Sequence, residues 1–364
     1  MHRRILLDRD TQLSFADLEL EGHFAAREKN PDHVVRMLAR ISDEAVDRAF
    51  WIVRDAFAAD DGAKLTDAEI HRMLRVHLVQ IALNLSDPGM EGLLVADLYV
   101  RRFCGFTASC KVPSDTTILR FRRRMENNDL GRALFMDSVK AAEEDGAIPE
   151  EDYAVAVDAT FIDAPSSTKN KDRARDPEMA SGRKAQTWHF GMKLHVAAAV
   201  GAGIIRACVA GPANEHDITR LGDVLTGKET KGVFVDSGYT GCFKREEVAQ
   251  FNLDPQKWFI AAKPSTVRKY EKLVENQEGT LAEKAQAYLD LYRSIEFSKA
   301  SVRCCVEWSF LWLKRIFGYA KTRYRGIAKN HKRCLTLYGL YNWIRLNSWR
   351  EAQAAQAAQA VQAA

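Results

Sequence analysis

Along the first 150 residues apolar side chains recur at three- and four-residue intervals, and beyond residue 151 the period shortens toward two. Val34 to Phe57 and Asp67 to Leu85 carry the helical spacing; Pro88-Gly89 breaks the second run, and a third amphipathic stretch follows from Met90 to Phe103. Ser114-Asp115 offers an N-cap to a helix over Thr116–Asn127. Further on, Tyr153–Ile162, Trp188–Val200 and Ile204–Ala210 read as strands, the last two joined by a turn at Gly201–Gly203. Asp217–Leu225 reads as helical, Gly232–Asp236 as a short buried strand, Phe243–Phe251 as helical and Trp258–Ala262 as a fifth strand. Residues 264–280 read as a polar connection, and Leu281 to about Gly318 as a long helical region with a break near Ser298. This order predicts an α/β layered domain with a mixed five-stranded sheet, preceded by an all-helical region. The expected boundaries are 1–150, 151–350 and a low-complexity tail, EAQAAQAAQAVQAA, over 351–364, either a frayed helix or disordered.

Composition changes this picture little. Apolar residues make up 46% and charged residues 28% of the chain, enough to build a core. No apolar run is long enough for a membrane helix and the start lacks the pattern of a signal peptide, so a cytoplasmic, nucleoid-associated protein is expected. Seven cysteines without a C-x-x-C pair predict reduced thiols rather than disulfides or zinc. The net charge is only +4, but Ser298 to Arg350 holds twelve Lys or Arg against one acid, Glu307. A basic stretch of that kind suits a polyanionic partner.

Three acids stand at places where acids are costly or informative. Asp158 lies in the apolar first strand, VAVDATFI, where an uncompensated carboxylate is unfavourable. Asp236 closes the fourth strand, at the end of a sheet where ligands gather. Glu307 sits in the late helix, VRCCVEWSFLWLKR. Acids on a first strand, after a fourth strand and on a late helix form a ribonuclease-H-like arrangement. At about 100° per residue, Arg303, Glu307 and Lys314 share a narrow face of that helix. Such a set suits phosphodiester chemistry with two Mg²⁺ or Mn²⁺ ions, Asp158 bridging them, Asp236 on one and Glu307 on the other. Arg303 and Lys314 would hold the DNA backbone.

At these residues the chain resembles DDE transposases of the insertion sequence 5 family. The likeness runs through QLSFADLE, LRVHLVQIALNLSDPGMEGLL, PSDTTILRFRR, VDATFIDAPSSTKNKD, RDPEM, WHFGMKLH, ANEHD, VDSGYTGCFKREE and KASVRCCVEWSFLWLKRIFGYAKTRYRGIAKN. The last segment carries an R-x3-E-x6-K pattern on Arg303, Glu307 and Lys314. The resemblance implies a ribonuclease-H-like catalytic domain, the triad above, and positions near the active site or DNA for Lys193, His195 and His216, with Tyr239 and Arg245 following Asp236. Two positions depart from the pattern: Trp308 stands where many relatives have His, and Ala300 where the broader signature has Tyr.

The resemblance also places DNA-end recognition in the N-terminal region, and residues 1–150 are expected to serve DNA binding and dimerisation. Thr116, Thr117, Arg120 and Arg123 open and line the Thr116–Asn127 helix, as a recognition helix would. Arg323 and Arg325, in KTRYRG, suit a position on the DNA backbone. The expected partners are double-stranded DNA and a second copy of the chain, with no membrane and no organic cofactor. The rival readings are a domesticated non-catalytic DNA-binding protein and a stand-alone nuclease of the same fold.

Overall fold

The computed structural model describes residues 15–171, 173–184 and 186–363; Gln12–Ser14 of the opening motif, Asp172 and Ala364 lie outside the described residues. The chain divides into two units, one of residues up to 141 with 313–319 and 332 onward, the other of 142–312 with 320–331.

The first unit opens with α1 (Phe15–Lys29), α2 (His33–Leu38), α3 (Asp43–Ala59), α4 (Asp67–Ala82), α5 (Asp87–Ala96), α6 (Leu98–Phe103), α7 (Asp115–Asn127) and α8 (Leu130–Glu144). Their starts are written in side chains: Asp32, Ser42, Thr66, Ser86, Asp97 and Ser114 each accept a backbone N–H of the following first turn. Thr66 and Glu69 complete a capping box. Pro88 stands in the first turn of α5, where its missing N–H removes no helix hydrogen bond. The predicted Met90–Phe103 helix is therefore two helices, split at Asp97, whose carboxylate caps α6.

Among the described residues the second unit is built on six strands: β1 (Ala154–Asp163), β2 (Ala180–Lys184), β3 (Thr187–Ala199), β4 (Ile205–Pro212), β5 (Gly232–Val235) and β6 (Trp258–Ile260). β3 runs antiparallel to β1, β2 and β4, whereas β1, β5 and β6 are parallel. The sheet is mixed and α/β as expected, with one strand more than the five predicted. β2 is invisible to periodicity because ASGRK has no apolar alternation; backbone pairing to the start of β3 holds it as an exposed edge. Alternation along β1 sends Val155 and Val157 to one face, into a core with Val233, Val235, Leu221 and Val248. Ala156, Asp158 and Thr160 point to the other face.

The connections carry α9 (Glu246–Ala249), α10 (Pro264–Glu275) and α11 (Gly279–Leu311). The segment 264–280 is thus largely a helix, α10, started by Pro264 at its first position. The predicted Asp217–Leu225 helix is a pair of tight 3₁₀ turns, Asp217–Arg220 and Gly222–Val224. Gly222 packs so closely on the Glu247 carbonyl that a Cβ would collide. Phe243–Phe251 likewise reduces to a 3₁₀ turn and the four-residue α9. No break occurs near Ser298: α11 runs 33 residues without interruption, about 50 Å, and gives way to a π-helical turn over Trp312–Ile316. α11 packs on β1, β3 and β5.

α12 (Ile327–Ala363) closes the chain, so the Ala/Gln tail is helical as far as residue 363. Most of α12 belongs to the first unit, where Asn342 Nδ2 donates to Ser138 Oγ (3.1 Å) and Arg350 pairs with Glu44 (2.6 Å). Among the described residues no helix is long and apolar enough to cross a membrane.

Candidate active site

Asp158 and Asp236 are drawn together by strand register. β1 and β5 pair Ala154 with Gly232, Val155 with Val233 and Ala156 with Phe234. Carried two residues further, to the residue after β5, the same register would bring Asp236 to the level of Asp158, at about 4.8 Å for adjacent strands, and the charge of Asp236 acts on Asp158. Asp236 then leaves the strand: its Oδ1 accepts the Gly238 N–H at 2.8 Å and starts the Ser237–Tyr239 turn. A Cβ on Gly238 would press on that oxygen at 2.9 Å, which explains glycine in DSGY. Asp158 Oδ1 accepts the Ala159 N–H at 2.7 Å. Burial is the largest influence on Asp158 and, with the like charge of Asp236, pushes its carboxyl up to about 6; the Ala159 N–H, Arg303 and Lys184 pull the other way without offsetting it.

These two carboxylates fit a divalent cation. Each spends one oxygen on a backbone N–H and makes no other hydrogen bond among the described residues. They are hard oxygen donors on adjacent strand ends, and the raised Asp158 marks a place short of positive charge.

Arg303 joins this pair to α11. Its charge acts on Asp158, α11 packs on β1, β3 and β5, and the Arg303 Nη2 stands 3.5 Å from Glu307 Oε1. Glu307 itself is more than half exposed. Among the described residues no three His, Cys, Asp or Glu side chains gather closely enough to share a metal ion, so Glu307 does not complete a cluster with the two aspartates in this conformation. Lys314 lies in the π-helical turn after α11. The 100° wheel that aligned it with Glu307 assumes an unbroken α-helix and does not carry through that turn. Trp308, beside Glu307, is exposed, as is Ala300.

Lys193 and His195 stand on the opposite face of the sheet. Lys193 Nζ donates to the Glu215 carbonyl (2.8 Å) and pairs with Asp217 (2.9 Å). Arg220 grips Glu215 through two bonds, 2.5 and 2.8 Å, and reaches Asp223 at 3.1 Å. His195 is 1% exposed with neither ring nitrogen hydrogen-bonded among the described residues. Burial above all lowers its pKa to about 4, so the ring is neutral at pH 7. His216, in ANEHD, is exposed and precedes the Asp217–Arg220 turn. Tyr239 is buried with its hydroxyl unpartnered among the described residues; burial first, then the charges of Asp217, Asp158 and Asp236, raise its pKa well above the ordinary value. Arg245 pairs with Glu247 at 2.9 Å.

The arginines of α7 separate into two kinds. Arg122 binds Asp87 and Glu126, both at 2.8 Å, and Arg124 binds Asp60 and the Phe57 carbonyl. Arg120 and Arg123 are exposed and make no ion pair among the described residues; Thr116 and Thr117 are exposed beside them. Ile118, Phe121 and Met125 are buried on the other side.

Arg323 and Arg325 are exposed on a loop that side chains hold tightly. Asn330 accepts the N–H groups of Arg323 and Tyr324 (both 3.2 Å) and donates to the carbonyls of Tyr324 (2.8 Å) and Gly326 (2.6 Å). Asp176 and Glu178 of RDPEM accept the N–H groups of Gly326 (2.7 Å) and Ile327 (2.8 Å) at the start of α12. The sequence alone gives RDPEM no role of its own, and it hides Lys184, which lies in the strand that periodicity misses.

The model of a family described as Transposase DDE domain matches residues 149–343, more than half of the chain. That of a second, described as Transposase domain (DUF772), matches residues 23–124. No solved structure matches the chain. The matched span holds the register that aligns Asp158 with Asp236 and the helix that carries Arg303 and Glu307: the chain belongs to the transposase DDE domain family.

Proposed function

We propose that this transposase is of the insertion sequence 5 type, binds the terminal inverted repeats of its own element, and cuts and joins DNA at Asp158, Asp236 and Glu307. The observation that carries this is the β1–β5 register, which sets two carboxylates side by side with one of them buried and short of positive charge. Mg²⁺ or Mn²⁺, two ions per site, held by Asp158 and Asp236 and joined by Glu307, would supply the Lewis acidity that phosphodiester cleavage needs. Burial leaves Asp158 short of positive charge, so its carboxyl holds a proton more readily than an exposed one; a bound cation would supply the missing charge, and the proton would leave to solvent. Arg303, between Asp158 and Glu307, positions a backbone phosphate and releases Glu307 as it does so. Lys314 offers a second cation for the same strand.

DNA ends are read by the exposed edge of α7, through Thr116, Thr117, Arg120 and Arg123, with Arg323 and Arg325 on the backbone. Lys193 and His195 support the site from the opposite face of the sheet, the lysine by anchoring the Glu215–Asp217 turn. Helical residues 1–150 serve DNA binding, and 151–350 serve catalysis. The test is cleavage of end-containing DNA with Mg²⁺. The natural chain cuts and yields joined products; Asp236→Ala binds the same DNA and does not cut. Equal cutting by both would remove Asp236 from the chemistry, and cutting without joining would leave a nuclease.

A further inference from the structure

α10 and α11 form an antiparallel hairpin, held by Arg293 on Glu271 (2.7 Å) and by the Tyr270 and Tyr292 rings (4.9 Å between centroids). The hairpin leaves much apolar surface uncovered. Tyr270 and Leu273 on α10, and Leu281, Tyr288, Leu291 and Ile295 on α11, are 39 to 74% exposed. On α11 the four fall within about 80° of one another at 7-, 3- and 4-residue intervals, the spacing of a helix-packing seam. The side chains that pack inward, Ala285, Leu289, Tyr292 and Glu296, occupy the neighbouring arc. In both helices the exposed apolar arc is rotated by about 90° in the same sense from the packed arc. Because the helices run in opposite directions, the two exposed arcs face the same way and merge into one surface.

That surface is larger than an isolated chain ordinarily leaves to water. Its six large side chains present on the order of 700 Å² at these exposures, above the few hundred Å² typical of monomers and close to the ~800 Å² per partner of a stable interface. Over residues 281–295 Lys284 is the only charge within the α11 arc, Glu283, Asp290 and Arg293 lying outside it; Lys299, a turn further on, is held by Glu296 at 2.7 Å. A surface with one cation suits neither a DNA backbone nor an anionic lipid. It suits its own copy, because a two-fold axis sets the same patch on both sides.

We infer that the α10–α11 hairpin is a self-association surface, on which two copies of this chain pack hairpin to hairpin as a four-helix layer. The inference rests on the transposase reading for its purpose alone: two DNA ends need two sites held together. The means lies in α11, which runs unbroken from the exposed seam to Arg303 and Glu307, so pairing the hairpins fixes two catalytic helices in one relation.

The test is the mass of the full chain in solution, by light scattering and sedimentation, without DNA or metal. The natural chain is expected at twice its 41.0 kDa at micromolar concentration. Tyr288→Glu with Leu291→Glu is expected at 41.0 kDa, with self-association weakened at least about 100-fold and an unchanged circular-dichroism spectrum, since both side chains are exposed in the single chain. Val95→Glu, at an exposed apolar position in the other unit, is the control and keeps the double mass. A natural chain that stays single up to about 100 µM overturns the inference, as does a double variant that associates as tightly as the natural chain. So does a double variant that loses DNA binding while mass is unaffected, which would give the surface to DNA. Mass and cutting are read separately. A chain that pairs without cutting keeps this surface and loses the catalytic reading; one that cuts without pairing does the reverse.

Discussion

The two faces of the sheet each carry a polar centre, and the centres are built in opposite ways. On one face Lys193, Glu215, Asp217 and Arg220 satisfy one another, every charge opposed within 3 Å or so. On the other, Asp158 and Asp236 stand together as like charges, with Arg303 turned partly toward Glu307. A closed network needs nothing from outside and contributes order; an uncompensated pair of acids is costly until a cation arrives. The contrast teaches that conspicuous polar residues in the same sheet can have different reasons to be there. Here unmet charge separates them, since burial and sequence motif do not.

Replacing one carboxylate in each centre separates the two most strongly. Asp158→Asn is expected to lower Mg²⁺-dependent strand cleavage by at least about 1,000-fold, roughly 4 kcal/mol, while DNA binding and folding persist. If cleavage falls less than tenfold, the open centre is not the site of reaction. Asp217→Ala should act the other way. It leaves Lys193, largely buried, without its carboxylate partner, and should cost about 1–2 kcal/mol in urea unfolding. Loss of cutting with no loss of stability would move Asp217 from the closed centre into the chemistry.

The open centre should also respond to pH. The Asp158 carboxyl is raised from its ordinary range to about 6 in the folded chain. A raised acid binds its proton better folded than unfolded, so its burden on stability is absent below about pH 4 and develops as pH climbs through 6. Asp158→Asn should therefore melt with the natural chain near pH 4 and a few °C above it at pH 7.5. Saturating Mg²⁺ should narrow that gap at pH 7.5 by stabilising only the natural chain. A gap independent of pH would mean that Asp158 ionisation is not what burial opposes.

Much of this is legible in the chain itself, for identifiable reasons. Helices and buried strands announce themselves by period, and Asp158 and Asp236 by standing at the wrong place in apolar strands. The mixed sheet follows from those strands, but β2 does not, because an edge strand is held by backbone pairing and ASGRK shows no alternation. α10 is hidden by its polar surface. The Asp217–Leu225 and Phe243–Phe251 segments have helical composition, yet the close packing of Gly222 on Glu247 leaves room only for tight turns. Site residues stand out where burial makes a charge expensive. Their partners across the chain, such as Asp176 and Glu178 on the loop before α12, have no signature before folding.

The distinction between satisfied and unsatisfied charge extends to α7, where it makes the finest prediction. Four arginines crowd one helix, and composition alone assigns them equally to DNA. Arg122 and Arg124 are already spent on Asp87, Glu126 and Asp60, so removing either should loosen the fold. Arg120 and Arg123 have no such partners among the described residues and share an exposed edge with Thr116 and Thr117. Replacing both by Gln should leave the melting temperature unchanged and reduce the slope of log affinity against log salt by about 2, close to 0.9 for each phosphate that is no longer neutralised. Arg124→Gln should lower stability by about 1–2 kcal/mol and leave the slope of the remaining folded chain intact. If instead the double variant keeps the natural slope, those arginines meet no phosphate, and exposure without an ion pair is no guide to the DNA-facing edge of this helix.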